Sequence, residues 1–192
     1  MSDSKHRPRK RFGQHFLSCN QSLEAMVQAI SPGLHTRLLE IGPGQGVLTQ
    51  YLIDEVSDFS VIEIDKDLIA YLKKRFSQSA FVLHEGDVLN FDFSTVLRVS
   101  DPMCIVGNLP YNISTPLLFK LFEYASAISC CYFLLQKEVV DRLCAVVGTK
   151  QYGRLSVMAQ YHCDTRSLFD VPPTAFAPPP KVDSSFVQLT PH

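Results

Sequence analysis

Residues 38–46 read Leu38-Leu39-Glu40-Ile41-Gly42-Pro43-Gly44-Gln45-Gly46, a short apolar run ending in three glycines at alternate positions. An apolar run of this length bounded by glycine reads as a strand buried on both faces, and the glycines let a ligand approach the backbone where the chain turns. A helix over Val47–Glu55 follows. Working outward, further strands are expected at Ser60–Asp65, Phe81–Leu83, Cys104–Val106 and Cys130–Leu135, with two late ones at Thr165–Phe169 and Ser185–Leu189. Helical spacing falls between them, at Ser22–Ile30, Asp67–Phe76, Thr115–Tyr124, Lys137–Val146 and Leu155–Tyr161. Strands alternating with helices imply an α/β fold with a central, mostly parallel sheet flanked by helices.

At 192 residues, 46% hydrophobic and 19% charged, the chain suits one globular domain with a sizeable core. The net charge of −1 gives no global attraction to a polyanion, but it is unevenly spread. Lys5, Arg7, Arg9, Lys10 and Arg11 face only Asp3 in the first eleven residues, so that arm carries +4 and the remainder −5. Such an arm suits phosphate contacts, and equally reads as a solvated tail. No apolar h-region follows it, and no stretch reaches the roughly 18 apolar residues that span a bilayer. Cysteines 19, 104, 130, 131, 144 and 163 lack metal-ligand spacing. They read as reduced core thiols of a cytoplasmic protein, with no metal expected.

The polar clusters fall at the carboxyl ends of strands, where open parallel sheets bind ligands. The spacing G-x-G-x-G at Gly42, Gly44 and Gly46 differs from the G-x-G-x-x-G of dinucleotide sites. Glu63 stands at the second strand end, 21 residues after Gly42, where a carboxylate accepts both hydroxyls of a ribose. Asp87, in Glu85-Gly86-Asp87-Val88, suits the amino group of an adenine, with backbone at Val88 reading the ring edge. At the fourth strand end stands Asn108-Leu109-Pro110-Tyr111-Asn112-Ile113-Ser114. The Asn108 side-chain oxygen and the Leu109 carbonyl each accept one N–H of an amine, Pro110 fixes the backbone, and Tyr111 offers a stacking face. That set fits an exposed amino group on a flat base. Taken singly, each cluster also reads as a tight turn, a solvent-facing acid, a helix cap or a strand-to-turn junction.

Residues 11–190 together resemble the catalytic domain of the KsgA family, the bacterial small-subunit ribosomal RNA adenine N6-dimethyltransferases. The resemblance rests on Arg11–Leu17, Glu40–Gly46, Val61–Asp65, Glu85–Asp87, Asn108–Pro116, Leu135–Val139, Tyr152–Val157, Val171–Phe176 and Pro180–Ser184. It implies a Rossmann-like S-adenosylmethionine-dependent methyltransferase fold over 21–192, preceded by a basic arm and motif over 1–20. It also implies that His15, Leu17, Gly42, Glu63, Asp87 and Asn108 contact S-adenosyl-L-methionine, beside Gly44 and Val88 from the turns above. Lys5, Arg7, Arg9, Lys10 and Arg11 are then RNA-binding and Asn108, Leu109, Pro110 and Tyr111 catalytic, while Phe176 reads either as closing on the base opposite Tyr111 or as a core aromatic. Lys137, Arg142, Arg154 and Lys181 are further candidates for phosphate contacts. The implied product is dimethyladenosine at two adjacent adenosines near the 3′ end of 16S rRNA, made by a monomer acting on the small ribosomal subunit. Family members continue into a small helical C-terminal domain, whereas this chain stops at Pro191-His192, so that domain is expected to be absent. Two alternatives remain at this level: a macrolide-resistance methyltransferase of large-subunit rRNA, and a non-enzymatic RNA-binding assembly factor on the same fold.

Overall fold

The computed structural model describes residues 15–192; the basic arm, Lys5 to Arg11, lies outside the described residues. The strands in chain order are β1 (Phe16–Leu17), β2 (Arg37–Ile41), β3 (Asp58–Glu63), β4 (Val82–Glu85), β5 (Met103–Asn108), β6 (Ile128–Gln136), β7 (Cys163–Val171), β8 (Phe176–Ala177) and β9 (Ser184–Pro191). The helices are α1 (Asn20–Ile30), α2 (Thr49–Leu52), α3 (Lys66–Arg75), α4 (Ser114–Phe122), α5 (Lys137–Leu143) and α6 (Arg154–His162).

Seven strands form one sheet in the order β4-β3-β2-β5-β6-β9-β7. Strands β4 through β6 run parallel, and β9 is antiparallel to both of its neighbours. The apolar runs explain why this sheet is covered on both sides. Along β2, β3 and β5, alternate residues enter opposite cores: Leu39, Ile41, Ile62 and Ile105 join one, and Leu38, Val61, Cys104 and Val106 the other. Leu117, Leu118 and Leu121 of α4 cover the first face together with α5 and α6. Leu23 and Met26 of α1, with Leu52 and Leu72, cover the second. Among the described residues no helix is long and apolar enough to cross a membrane.

Strand order reverses between β2 and β5, and the crevice at such a switch point is where an open α/β sheet holds a ligand. Gly107 lets the two strand ends close up. A Cβ there would lie 2.6 Å from the Ile41 carbonyl oxygen, so only glycine fits before Asn108.

Two features depart from the expected elements. The helix after the glycine turn is the single turn Thr49–Leu52 rather than Val47–Glu55. The turn at 44–48 consumes its start, and Glu55 N–H bonds back only to Leu52 O at 3.1 Å, which tightens its end. A second sheet, β1 paired antiparallel with β8, also forms, setting Leu17 opposite Phe176.

Candidate cofactor and substrate site

The ends of β2, β3, β4 and β5 surround a cavity of about 320 Å³, closed on one side by His15–Leu17. Gly44, at φ +58°, turns its N–H onto Glu63 Oε2 at 3.3 Å. Glu63 Oε1 accepts the N–H groups of Ile64 and Asp65, each at 2.9 Å. Three backbone donors therefore hold a carboxylate with about four acceptor sites. Glu63 both braces the glycine turn and faces the cavity, leaving less capacity for a ribose than a solvated carboxylate would have. Burial raises its pKa, and the three hydrogen bonds work against that rise.

Behind it stands Glu40, 2% exposed, with Oε2 accepting the Thr49 hydroxyl at 2.6 Å. Burial pushes its carboxyl up to about 7; the Thr49 bond opposes this, and the Glu63 charge adds to it. Among the described residues neither acid is in an ion pair. Two buried, unpaired carboxyls beside one cavity suit a ligand that brings positive charge of its own.

Asp87 uses both oxygens inside its own turn, accepting Leu89 N–H at 2.9 Å and the Asn90 side-chain amide at 3.0 Å. It still lines the cavity beside Val88 and Leu89. Ile64, 43% exposed, lines the same space and supplies an apolar wall for a flat ring. Nothing but its place directly after a strand-end acid marks it in the sequence. These walls fit S-adenosylmethionine: glycine backbone, a strand-end acid for a ribose, an apolar face for an adenine, and carboxyls without a cationic partner among the described residues.

On the other side of the cavity, the Asn108 Nδ2 donates to the His15 carbonyl at 3.0 Å. That carbonyl can only accept, so the amide nitrogen faces it and Oδ1 is left as the acceptor at the cavity wall. Leu109 N–H is held by Leu134 O at 3.2 Å. The Tyr111 hydroxyl shares a hydrogen bond with Ser184 Oγ at 2.9 Å, and its carbonyl accepts the Ser114 hydroxyl at 3.1 Å. The His15 ring stacks on Tyr111, with centroids 5.7 Å apart and planes 23° from parallel. His15 Nδ1 donates to Pro178 O at 2.9 Å. A base stacking on Tyr111 takes its other face or displaces His15.

Phe176 is not brought to the cavity. Its ring is 4% exposed within the second core, and it is absent from the cavity lining. Here it serves as packing, and stacking on a base would cost it that burial. Of the remaining cations, Lys137 is engaged by Asp141 and Asp170, each at 3.1 Å, and Arg154 lies over the Phe119 ring. Both are tied into the surface of the fold.

A family model for ribosomal RNA adenine dimethylases matches residues 5–192. The chain belongs to the ribosomal RNA adenine dimethylase family. Similar curated proteins include the ribosomal RNA small subunit methyltransferase A of Alcanivorax borkumensis, 51% identical over 97% of this chain and 67% of that protein. The protein of the same name from Pseudomonas aeruginosa is 53% identical over 97% and 70%. Among solved structures, a dimethyladenosine transferase from Plasmodium falciparum superposes with a TM-score of 0.83 at 32% identity, covering 93% of this chain and 64% of that one. The 23S rRNA methyltransferase ErmE does so with 0.77 at 26%, covering 92% and 70%. The adenine dimethylase chain thus spans about two thirds of its relatives' length, and shares with them S-adenosylmethionine as methyl donor.

Proposed function

We propose that this chain transfers methyl groups from S-adenosyl-L-methionine to N6 of two adjacent adenosines in the 3′-terminal hairpin loop of 16S rRNA. The product is N6,N6-dimethyladenosine, and the protein works as a cytoplasmic monomer in small-subunit biogenesis. The observation that carries this reading is Asn108, whose amide nitrogen is held by the His15 carbonyl so that Oδ1 is left as an acceptor at the cavity wall. The curated relatives, named for the small subunit and 51–53% identical, support the choice of that subunit over the large one, since ErmE is 26% identical.

The amino nitrogen of adenine is a poor nucleophile because its lone pair is delocalised into the ring. The sulfonium of S-adenosylmethionine supplies an already activated methyl group, so the protein's work is alignment. Asn108 Oδ1 accepts one N–H of the amine and the Leu109 carbonyl the other, aiming the lone pair into the cavity. Tyr111, braced by Ser184 and Ser114, presents a face to the extruded base. After the first transfer only one N–H remains, so a single acceptor orients the amine for the second. Mass mapping of methylated nucleosides on unmodified small subunits, incubated with the protein and labelled cofactor, tests the assignment. Dimethyladenosine at two adjacent positions of the 3′ hairpin is expected, and label confined to 23S rRNA would overturn it.

Two variants test parts of this reading. Glu63→Ala should lose roughly 1.5 to 3 kcal/mol of cofactor binding, because it removes a buried acceptor and releases three backbone donors at once. Unchanged calorimetric affinity for S-adenosylhomocysteine would remove Glu63 from the site. Deleting residues 1–10 should weaken RNA binding and flatten its salt dependence, with cofactor affinity unaffected. Equal salt slopes for the two chains would make Lys5, Arg7, Arg9 and Lys10 a solvated tail.

A further inference from the structure

Strand β4 lies at the sheet edge, and the loop that follows it, residues 86–92, carries one wall of the cavity. Its start is tied to the sheet by Gly86 N–H on Glu63 O at 2.9 Å. Its internal bonds, Asp87 to Leu89 and Asn90, shape the turn but do not place it. Apolar contacts seat it on the first core, where Val88 is buried and Leu89 and Phe91 pack, and α4 adds the polar anchor. Lys120 Nζ donates to the carbonyls of Leu89 at 2.8 Å and Phe91 at 2.6 Å, and sits over the Phe93 ring at 5.4 Å. Two charge-assisted bonds and an aromatic face hold one half-buried ammonium, which is a strong anchor for an irregular segment.

The same helix begins at the substrate turn. Ser114, its first residue, bonds to the Tyr111 carbonyl. Lys120 follows six residues later, about 9 Å along the axis, and Leu117 and Leu118 are fully buried between them. Helix α4 is therefore a strut with the base-binding turn at one end and the adenine-side loop at the other. We propose that Lys120 is a positioning residue that fixes the loop reading the cofactor's adenosine relative to the turn that receives the target base. This inference rests on the cofactor reading of the cavity.

If the loop holds its binding conformation for only a fraction of the time, the apparent dissociation constant rises by the inverse of that fraction. Calorimetric titration of the full chain and of Lys120→Met provides the test, at a temperature well below the melting of either. The ligands are S-adenosylhomocysteine and 5′-methylthioadenosine, which keeps the adenosine and lacks the amino-acid tail. Both affinities should fall by the same factor, about 5- to 20-fold, and Lys120→Arg should recover most of the loss. Lys120→Gln is the milder substitute if the methionine variant does not fold. A variant that melts lower but binds both compounds within about twofold of wild type would make Lys120 a fold-stabilising contact only and overturn the proposal. Weakening confined to S-adenosylhomocysteine would overturn it as well, because the fault would then lie at the methionine end. Wild-type protein that binds neither compound would refute the cofactor site itself, a result distinct from both.

Discussion

Asn108→Ala should slow methyl transfer by a factor on the order of a hundred to a thousand, the scale for losing one preorganised polar group aimed at a transition state. The variant should fold, because Asn108 is a half-buried strand-end residue and Pro110 and Tyr111 still shape the turn. Single-turnover methylation of purified small subunits, with co-sedimentation alongside, reads both halves. A near wild-type rate would take Asn108 out of the mechanism. The His15 contact adds a sharper comparison. Asn108→Asp keeps an acceptor of the same shape but sets a carboxylate oxygen against the His15 carbonyl, where no hydrogen is available. It should therefore be about as slow as the alanine variant, whereas an asparagine that worked only by offering an oxygen would tolerate the change.

The parts of this site visible in the sequence are those carried by consecutive residues. The central strands are buried on both faces, so β2, β3 and β5 announce themselves as mostly apolar runs, and Glu63 and Asn108, which end two of them, line the crevice. Glu63 reads as a ribose ligand or a solvent-facing acid, and Asp87 as an adenine ligand or a turn former; the structure buries Glu63, gives both acids turn bonds and sets both in the cavity lining. What stayed hidden depends on contacts between distant segments. The His15 carbonyl meets an amide 93 residues away, and Lys120 meets Leu89 across 31; neither leaves a periodic trace. The pairing of β1 with β8 involves two residues on each side, too few for any alternation to register. Phe176 shows the converse difficulty, since an isolated aromatic reads equally as a base-stacking face or as core. Its position opposite Leu17 places the ring in the core.

The buried pair behind the glycine turn predicts an inverted pH dependence of stability. Most carboxylates are better stabilised in the folded state and lose that contribution on acidification. Glu40 is raised from an ordinary 4.5 to about 7, so between those values the folded chain holds a proton that the unfolded chain has released. Stability should fall as pH rises through this window, by about 1.4 kcal/mol per unit at the steepest and about 3 kcal/mol in all. The penalty is absent below pH 4.5 and complete above 7. Glu63, also raised by burial, acts in the same direction, whereas His84, lowered by burial, opposes both below its usual range. Comparing the wild type with Glu40→Gln isolates one group. Glutamine keeps an acceptor for Thr49 and cannot ionise, so the variant should match the wild type near pH 4.5 and be more stable by about 3 kcal/mol near pH 8. Urea unfolding across that range is the measurement, and parallel curves would show that Glu40 titrates normally. The same charge logic ties the acid to the cofactor. A cation entering the cavity favours the ionised form, so S-adenosylmethionine binding near pH 6.5 should release a proton from Glu40, seen as a buffer-dependent calorimetric heat that Glu40→Gln abolishes.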